Sequence, residues 1–281
     1  KIVETSNFKQ KKILFNNIAK CFLGTQNIDE AKNYYLKALE FDRNDKLIVN
    51  NLLILFLRIG DKENAEYFFN RAQEIDKDYI EFKLNKSEYL LSQNKIEDAI
   101  NCLKNIIRES KNYVAYTKLS KIYSMIGDLK KSIEIIDQAI IEYPNQKDLK
   151  FTRGVQHLIE GEFEKGWEFY EFRDSIIRDE FYKNLVTWKG ENLKDSNILV
   201  TSEQGMGDVI QFSKFLINLS PLCKKIDFIP FDKLFPIFKK KLKNINICHK
   251  SEISQNEYDY RISLGSLNKY FFKEKNSNSS D

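Results

Sequence analysis

The stretch A-K-N-Y-Y-L-K-A, Ala31 to Ala38, returns 34 residues later as A-E-Y-F-F-N-R-A, Ala65 to Ala72. Its two alanines and the aromatic between them define columns that continue down most of the chain. Ala31, Ala65, Ala99, Ser132 and Gly166 follow one another at spacings of 34, 34, 33 and 34 residues, and all five are small. Four positions later stand Tyr35, Phe69, Leu103, Ile136 and Tyr170; seven positions later stand Ala38, Ala72, Ile106, Ala139 and Arg173. Nine positions earlier stand Phe22, Phe56, Leu90, Tyr123 and His157. Small residues let two antiparallel helices approach closely, and the large ones fill the groove between them. A period of this length predicts a stack of helix pairs.

Bulk properties narrow the reading further. A chain of 281 residues is longer than one core usually serves, so two domains are expected. The 45 basic and 41 acidic residues are interspersed and leave a formal charge of +4, which argues against nucleic acid as a partner. Apolar runs such as Leu52 to Leu57 are too short to cross a bilayer, and Lys1 to Gln10 has no signal-peptide core. The sequence is therefore read as soluble and cytoplasmic, without a transmembrane segment. Cys21, Cys102, Cys223 and Cys248 stand far apart, and the chain has two histidines, so neither a zinc site nor a disulfide framework is indicated. No metal or cofactor is expected. A start without methionine and a polar end suggest a segment of a longer protein.

These columns, with the turn pairs Gly60-Asp61, Gly127-Asp128 and Gly161-Glu162 and with Pro144 at a repeat closure, resemble the tetratricopeptide repeat family. The resemblance implies five helix-turn-helix units over residues 12–178, wound as a right-handed superhelical solenoid, the last unit being degenerate where Arg173 enters a small-residue column. It also implies that the first helix of each unit lines a concave groove that takes a protein or peptide partner. Asn17, Asn51 and Asn85 share one position of that helix at 34-residue spacing, before Lys118 and Thr152 interrupt the column. An amide donates and accepts together, which suits an extended peptide main chain. The asparagine-rich composition of the chain supplies the competing explanation for three in register. The O-linked N-acetylglucosamine transferases have a similar asparagine ladder.

After the repeats the periodicity changes. Apolar strands are expected at Ile198 to Thr201, Ile226 to Pro230, Ile245 to Cys248 and Tyr258 to Leu264, with helices at Val209 to Leu219 and Lys233 to Leu242. This order predicts a partial parallel, Rossmann-like α/β sheet. Its first strand ends in the two-glycine loop T-S-E-Q-G-M-G-D, Thr201 to Asp208. Gly205 and Gly207 would allow unusual backbone conformations and close ligand approach. Ile210 stands where a dinucleotide fingerprint needs a third small residue, so that reading fails. Asp208 is suited either to cap the helix or to act as a general base.

The segments G-E-F-E-K-G-W-E-F-Y-E-F-R (Gly161 to Arg173), W-K-G-x-x-L (Trp188 to Leu193) and I-L-V-T-S-E-Q-G-M-G-D-V-I-Q-F (Ile198 to Phe212) resemble bacterial tetratricopeptide proteins with a GT-B glycosyltransferase-like domain, and the loop resembles that of heptosyltransferases. The resemblance implies sugar transfer from a nucleotide-sugar donor to a glycan or protein acceptor. It implies Asp208 as the base, with Glu203, Gln204, Gly205 and Gly207 contacting substrate. A second lobe that would hold the donor does not fit after Phe272, so this segment alone is expected to be inactive. The competing reading is a non-catalytic interaction scaffold with a relic α/β lobe. The expected organisation is an N-terminal extension at 1–11, five repeats at 12–178, a linker at 179–196, a partial lobe at 197–272 and a polar tail at 273–281.

Overall fold

A computed structural model describes residues 8–25, 27–173, 182 and 184–272. The first residues of the N-terminal extension, part of the expected linker and the polar tail lie outside the described residues. The chain divides into two compact units, Lys1–Ile135 and Ile136–Asp281. The fifth repeat thus groups with the sheet.

Among the described residues, ten helices occupy the repeat region: α1 (Phe8–Gly24), α2 (Ile28–Phe41), α3 (Lys46–Ile59), α4 (Lys62–Asp76), α5 (Ile80–Ser92), α6 (Ile96–Ser110), α7 (Tyr113–Met125), α8 (Leu129–Glu142), α9 (Lys147–Glu160) and α10 (Phe163–Tyr170). Their boundaries follow from local chemistry. Gly60 closes α3 in the left-handed conformation at φ 72°, and Asp61 then caps α4 by accepting from the Asn64 amide. A side-chain cap of this kind contributes about 1 kcal/mol. Gly161 closes α9 in the same way at φ 82°. In the third repeat no glycine is present, and Asn94 takes the left-handed turn at φ 59°. Asparagine tolerates that region better than other non-glycine residues.

The repeat columns are the core. Ala31, Ala65, Ala99 and Ser132 are at most 2% exposed, and Tyr35, Leu103 and Ile136 are also buried. Ser132, in the small-residue column, donates from its hydroxyl to the Ser120 carbonyl at 2.8 Å. In the last helix pair the approach is closest. A Cβ on Gly166 would stand 2.5 Å from Leu158 Cδ2, and one on Gly154 would stand 2.9 Å from the Phe169 carbonyl carbon. Glycine is required at both crossings.

The second unit continues with β1 (Asn197–Thr201), α11 (Met206–Phe212), α12 (Lys214–Leu219), β2 (Lys225–Ile229), α13 (Phe235–Lys241), β3 (Asn246–Ile247), β4 (Tyr260–Ser263) and α14 (Leu267–Phe271). All four expected strands form, in the order β3-β2-β1-β4, and every pairing is parallel. Ile198, Val200, Ile226 and Phe228 pack one sheet face against Val209, Phe212, Leu216 and Phe238. Leu199 packs on the opposite face with Tyr182, Leu185 and Tyr258. Thr187, inside the expected linker, forms a parallel bridge with Arg261, and the Arg261 amide donates to the Val186 carbonyl. These contacts cover the outer edge of β4, which would otherwise expose unpaired backbone groups.

Helix α10 belongs to this core. Trp167 packs edge-on to Phe212 and also meets Phe272, whose ring lies 4.5 Å from that of Phe163. Trp188 is 6% exposed, has its ring 4.5 Å from that of Tyr270 at a tilt of 39°, and donates from its indole nitrogen to the Glu191 carbonyl at 2.8 Å.

Candidate functional site

Three regions concentrate polar chemistry, one in the first unit and two in the second. In the first unit, α3, α5 and α7 line a cleft of about 540 Å³ whose walls include Ile54, Leu57, Leu91 and Met125. Arg58, Lys118 and Lys121 bring three cations to it against the single carboxylate of Glu88. Lys118 is paired with Glu88 at 2.6 Å, whereas Arg58 and Lys121 have no ion-pair partner among the described residues. Met125 is 67% exposed, an unusual position for a large thioether.

Two members of the asparagine column, Asn51 and Asn85, lie on the helices that line this cleft. Asn51 precedes Ile54 and Arg58 by three and seven residues, and Asn85 stands at the same spacings from Glu88 and Ser92, so these two are each one turn from the cleft lining, whereas Asn17 lies on α1, which does not line it. The amides are partly engaged among themselves. Asn51 donates to Asn16 at 2.9 Å and Asn85 donates to Asn50 at 3.3 Å, while Asn16 donates to Asn17 at 3.4 Å. Asn16 and Asn50 are buried, and Asn50 also donates back to the Lys46 carbonyl. The ladder therefore ties successive repeats together as well as presenting amides on this face. Adjacent Asn16-Asn17 and Asn50-Asn51 pairs carried that signal in the sequence.

In the second unit the loop after β1 is built differently from the sequence expectation. Helix α11 begins at Met206, three residues earlier than expected, with Gly205 as its cap. Asp208 is therefore a first-turn residue rather than the cap, and its Oδ2 accepts from the Gly205 amide at 3.1 Å. A first-turn carboxylate also complements the positive end of the helix dipole. Gly205 has an ordinary φ of −87°, and Gln204 supplies the left-handed residue at φ 60°. A Cβ at Gly207 would meet nothing within 4 Å.

Glu203 and Gln204 are both held by the last repeat. The Tyr170 hydroxyl donates to Gln204 Oε1 at 2.8 Å, and burial, opposed by that bond, raises the phenol pKa. Arg173 donates to Glu203 through Nε at 3.0 Å and through Nη2, to Glu171 at 2.8 Å, and to Ser266 at 2.8 Å. Its side chain is 2% exposed and that of Glu203 is 4% exposed. Burial works against the guanidinium charge, but Glu203 and then Glu171 outweigh it and hold the pKa above its ordinary value. Gly265 makes room for this pair, because a Cβ there would lie 2.7 Å from Glu203 Oε1.

Glu203 follows β1 and Ser266 follows β4, so the guanidinium sits beyond the carboxyl ends of the two strands where the order reverses. In open α/β sheets that crevice is where ligands bind. Here the chain's own arginine occupies it.

A third cluster lies at the α9–α10 turn. His157 Nδ1 is 2.7 Å from Glu162 Oε2 and 3.8 Å from Glu160 Oε2. Lys165, followed by His157, draws the Glu162 carboxyl below the usual range. The sequence reading placed His157 in an aromatic column, and its ring does meet Phe169 edge-on at 5.7 Å.

Comparison with known proteins agrees with the repeat geometry. Residues 14–45 match the tetratricopeptide repeat family. The chain carries a tetratricopeptide repeat. Protein FlbA of Caulobacter vibrioides is 21% identical over 256 residues, covering 88% of the chain and 37% of FlbA. The anaphase-promoting complex subunit CDC16 of Saccharomyces cerevisiae is 24% identical over 142 residues, covering 46% of the chain and 17% of CDC16. The chain thus spans well under half the length of these relatives. The crystal structure of a tetratricopeptide repeat protein from Parabacteroides merdae shares the fold, with a TM-score of 0.52 and 17% identity over 59% of this chain and 64% of that one. No helix among the described residues is long and apolar enough to cross a membrane.

Proposed function

We propose that this chain is a protein-interaction scaffold whose first unit takes an acidic, extended peptide carrying an apolar anchor. The cleft between α3, α5 and α7 carries this reading, because it combines an apolar wall with two cations that no carboxylate of the described residues neutralises. A peptide carboxylate would pair with Arg58 or Lys121, an apolar side chain would enter beside Leu57, Leu91 and Met125, and Asn17, Asn51 and Asn85 would meet its main chain. CDC16, named as a subunit of a complex, is consistent with such a role.

The double variant Arg58→Glu/Lys121→Glu should weaken binding of an acidic apolar peptide pool at least 10-fold, measured by fluorescence anisotropy. Both side chains are exposed, so the melting temperature should stay close to that of the parent. Equal affinity in parent and variant would remove the cleft from the account.

The α/β unit supports a second reading. Its parallel β3-β2-β1-β4 order, with a strand, glycine loop and helix in succession, is compatible with part of a Rossmann-like lobe of the GT-B type. In that reading Asp208 is the base for a sugar acceptor, and Asp208→Asn in a two-lobed full-length protein reduces transfer by roughly 10²-fold or more. The scaffold reading expects no transfer in the parent and an unchanged peptide affinity in the variant. We favour the scaffold because Arg173 fills the switch-point crevice and because Glu203 and Gln204 are committed to Arg173 and Tyr170.

A further inference from the structure

We infer that His157, Glu160 and Glu162 form a binding site for a borderline divalent transition metal of the Zn²⁺ class, clasping the turn between α9 and α10. Their ligand atoms all lie within 4.8 Å of one another. The His157 side chain is 9% exposed, and its Nδ1 makes no hydrogen bond even though Glu162 Oε2 is only 2.7 Å away. The carboxylate oxygen therefore stands beside the nitrogen but off the directions a hydrogen bond needs. A buried imidazole nitrogen in that state is costly unless something else satisfies it.

A shared cation would do so. Ligand atoms about 2.0–2.2 Å from one tetrahedral Zn²⁺ stand roughly 3.4 Å apart. The Nδ1 separations of 2.7 and 3.8 Å from the two carboxylates bracket that edge, and the glutamates are 34% and 45% exposed, so small rotations bring them to it. The backbone favours the convergence: His157 and Glu160 are three apart on α9, and the left-handed Gly161 turns the chain so that Glu162 comes back over them.

Two cations already touch the same carboxylates. Arg153 donates to Glu160 Oε2 at 3.1 Å and Lys165 donates to Glu162 Oε2 at 3.3 Å. A carboxylate oxygen has two lone pairs, and ligating carboxylates are ordinarily held by such outer hydrogen bonds. Arg153 is itself fixed by Asp137 at 2.9 Å, which orients it as an outer partner of Glu160. Phe169 sets the imidazole ring plane. One imidazole with two carboxylates suits zinc, cobalt or nickel; an all-oxygen set would suit calcium or magnesium. Three protein ligands leave a fourth position for water.

Calorimetric titration of the chelator-treated chain with Zn²⁺ tests the site. One ion per chain is expected, with affinity reduced at least 10-fold in both Glu160→Gln and Glu162→Gln while circular dichroism is unchanged. His157→Ala should abolish binding, and because that ring is buried the two glutamine variants carry the test if it fails to fold. Titration with Co²⁺ separates this site from the four cysteines, since nitrogen and oxygen ligation gives no thiolate-to-cobalt charge-transfer absorption. Undiminished zinc affinity in the glutamine variants, a thiolate absorption, or the absence of saturable binding would overturn the assignment.

Discussion

Arg173→Ala should destabilise the second unit by about 3–5 kcal/mol, the scale seen when one partner of a buried ion pair is removed. The loss is large because Glu203, with a side chain 4% exposed, is left charged and buried beneath the last repeat. Ser266 and the Tyr170 carbonyl lose a donor at the same time. The readout is selective, since the two tryptophans of the chain, Trp167 and Trp188, both lie in the second unit. Urea unfolding followed by tryptophan fluorescence should shift to a much lower midpoint. The double variant Arg173→Met/Glu203→Leu should recover at least half of the loss, because it also removes the buried charge that Arg173 had paired. A midpoint unmoved by Arg173→Ala would mean that the guanidinium does not close the crevice.

Trp188→Ala is the second large effect, expected at about 3–5 kcal/mol for deleting a buried aromatic. Trp188 lies in the same core as Val200, Phe215 and Leu267, so its removal opens a void among residues of the sheet and α14. Trp188→Phe should retain most of that packing and lose the indole bond to Glu191, worth about 1 kcal/mol. A nearly neutral alanine variant would mean that Trp188 does not fill this core. Thermal melts of the three proteins separate these outcomes.

How far the sequence reads into this structure depends on the range of the interactions involved. The repeats are legible because each column recurs within 34 residues and each turn carries its own signal, as in Gly60-Asp61. The strands are legible from short apolar runs, and all four pair as expected. Arg173 is not legible. Within its column it reads as decay of the repeat, and the partners that explain it lie 30 and 93 residues away. Asp208 misleads for a local reason, since a carboxylate at the third helical position of a glycine-capped helix imitates a cap at the first apolar residue. The histidine cluster straddles a helix end, so its spacing matches neither a helical nor a strand template for metal ligands.

In the proposed function the cleft of the first unit does the binding and the β1 loop serves as structure. Hydrogen-exchange mass spectrometry with and without a saturating acidic apolar peptide, and separately with a nucleotide sugar, tests it most directly. Peptide-dependent protection of Lys46–Ile59, Ile80–Ser92 and Tyr113–Met125, with no change at Thr201 to Asp208 under either ligand, is the predicted result. Protection by the nucleotide sugar confined to Thr201 to Asp208, with the three cleft helices unaffected by peptide, would contradict it.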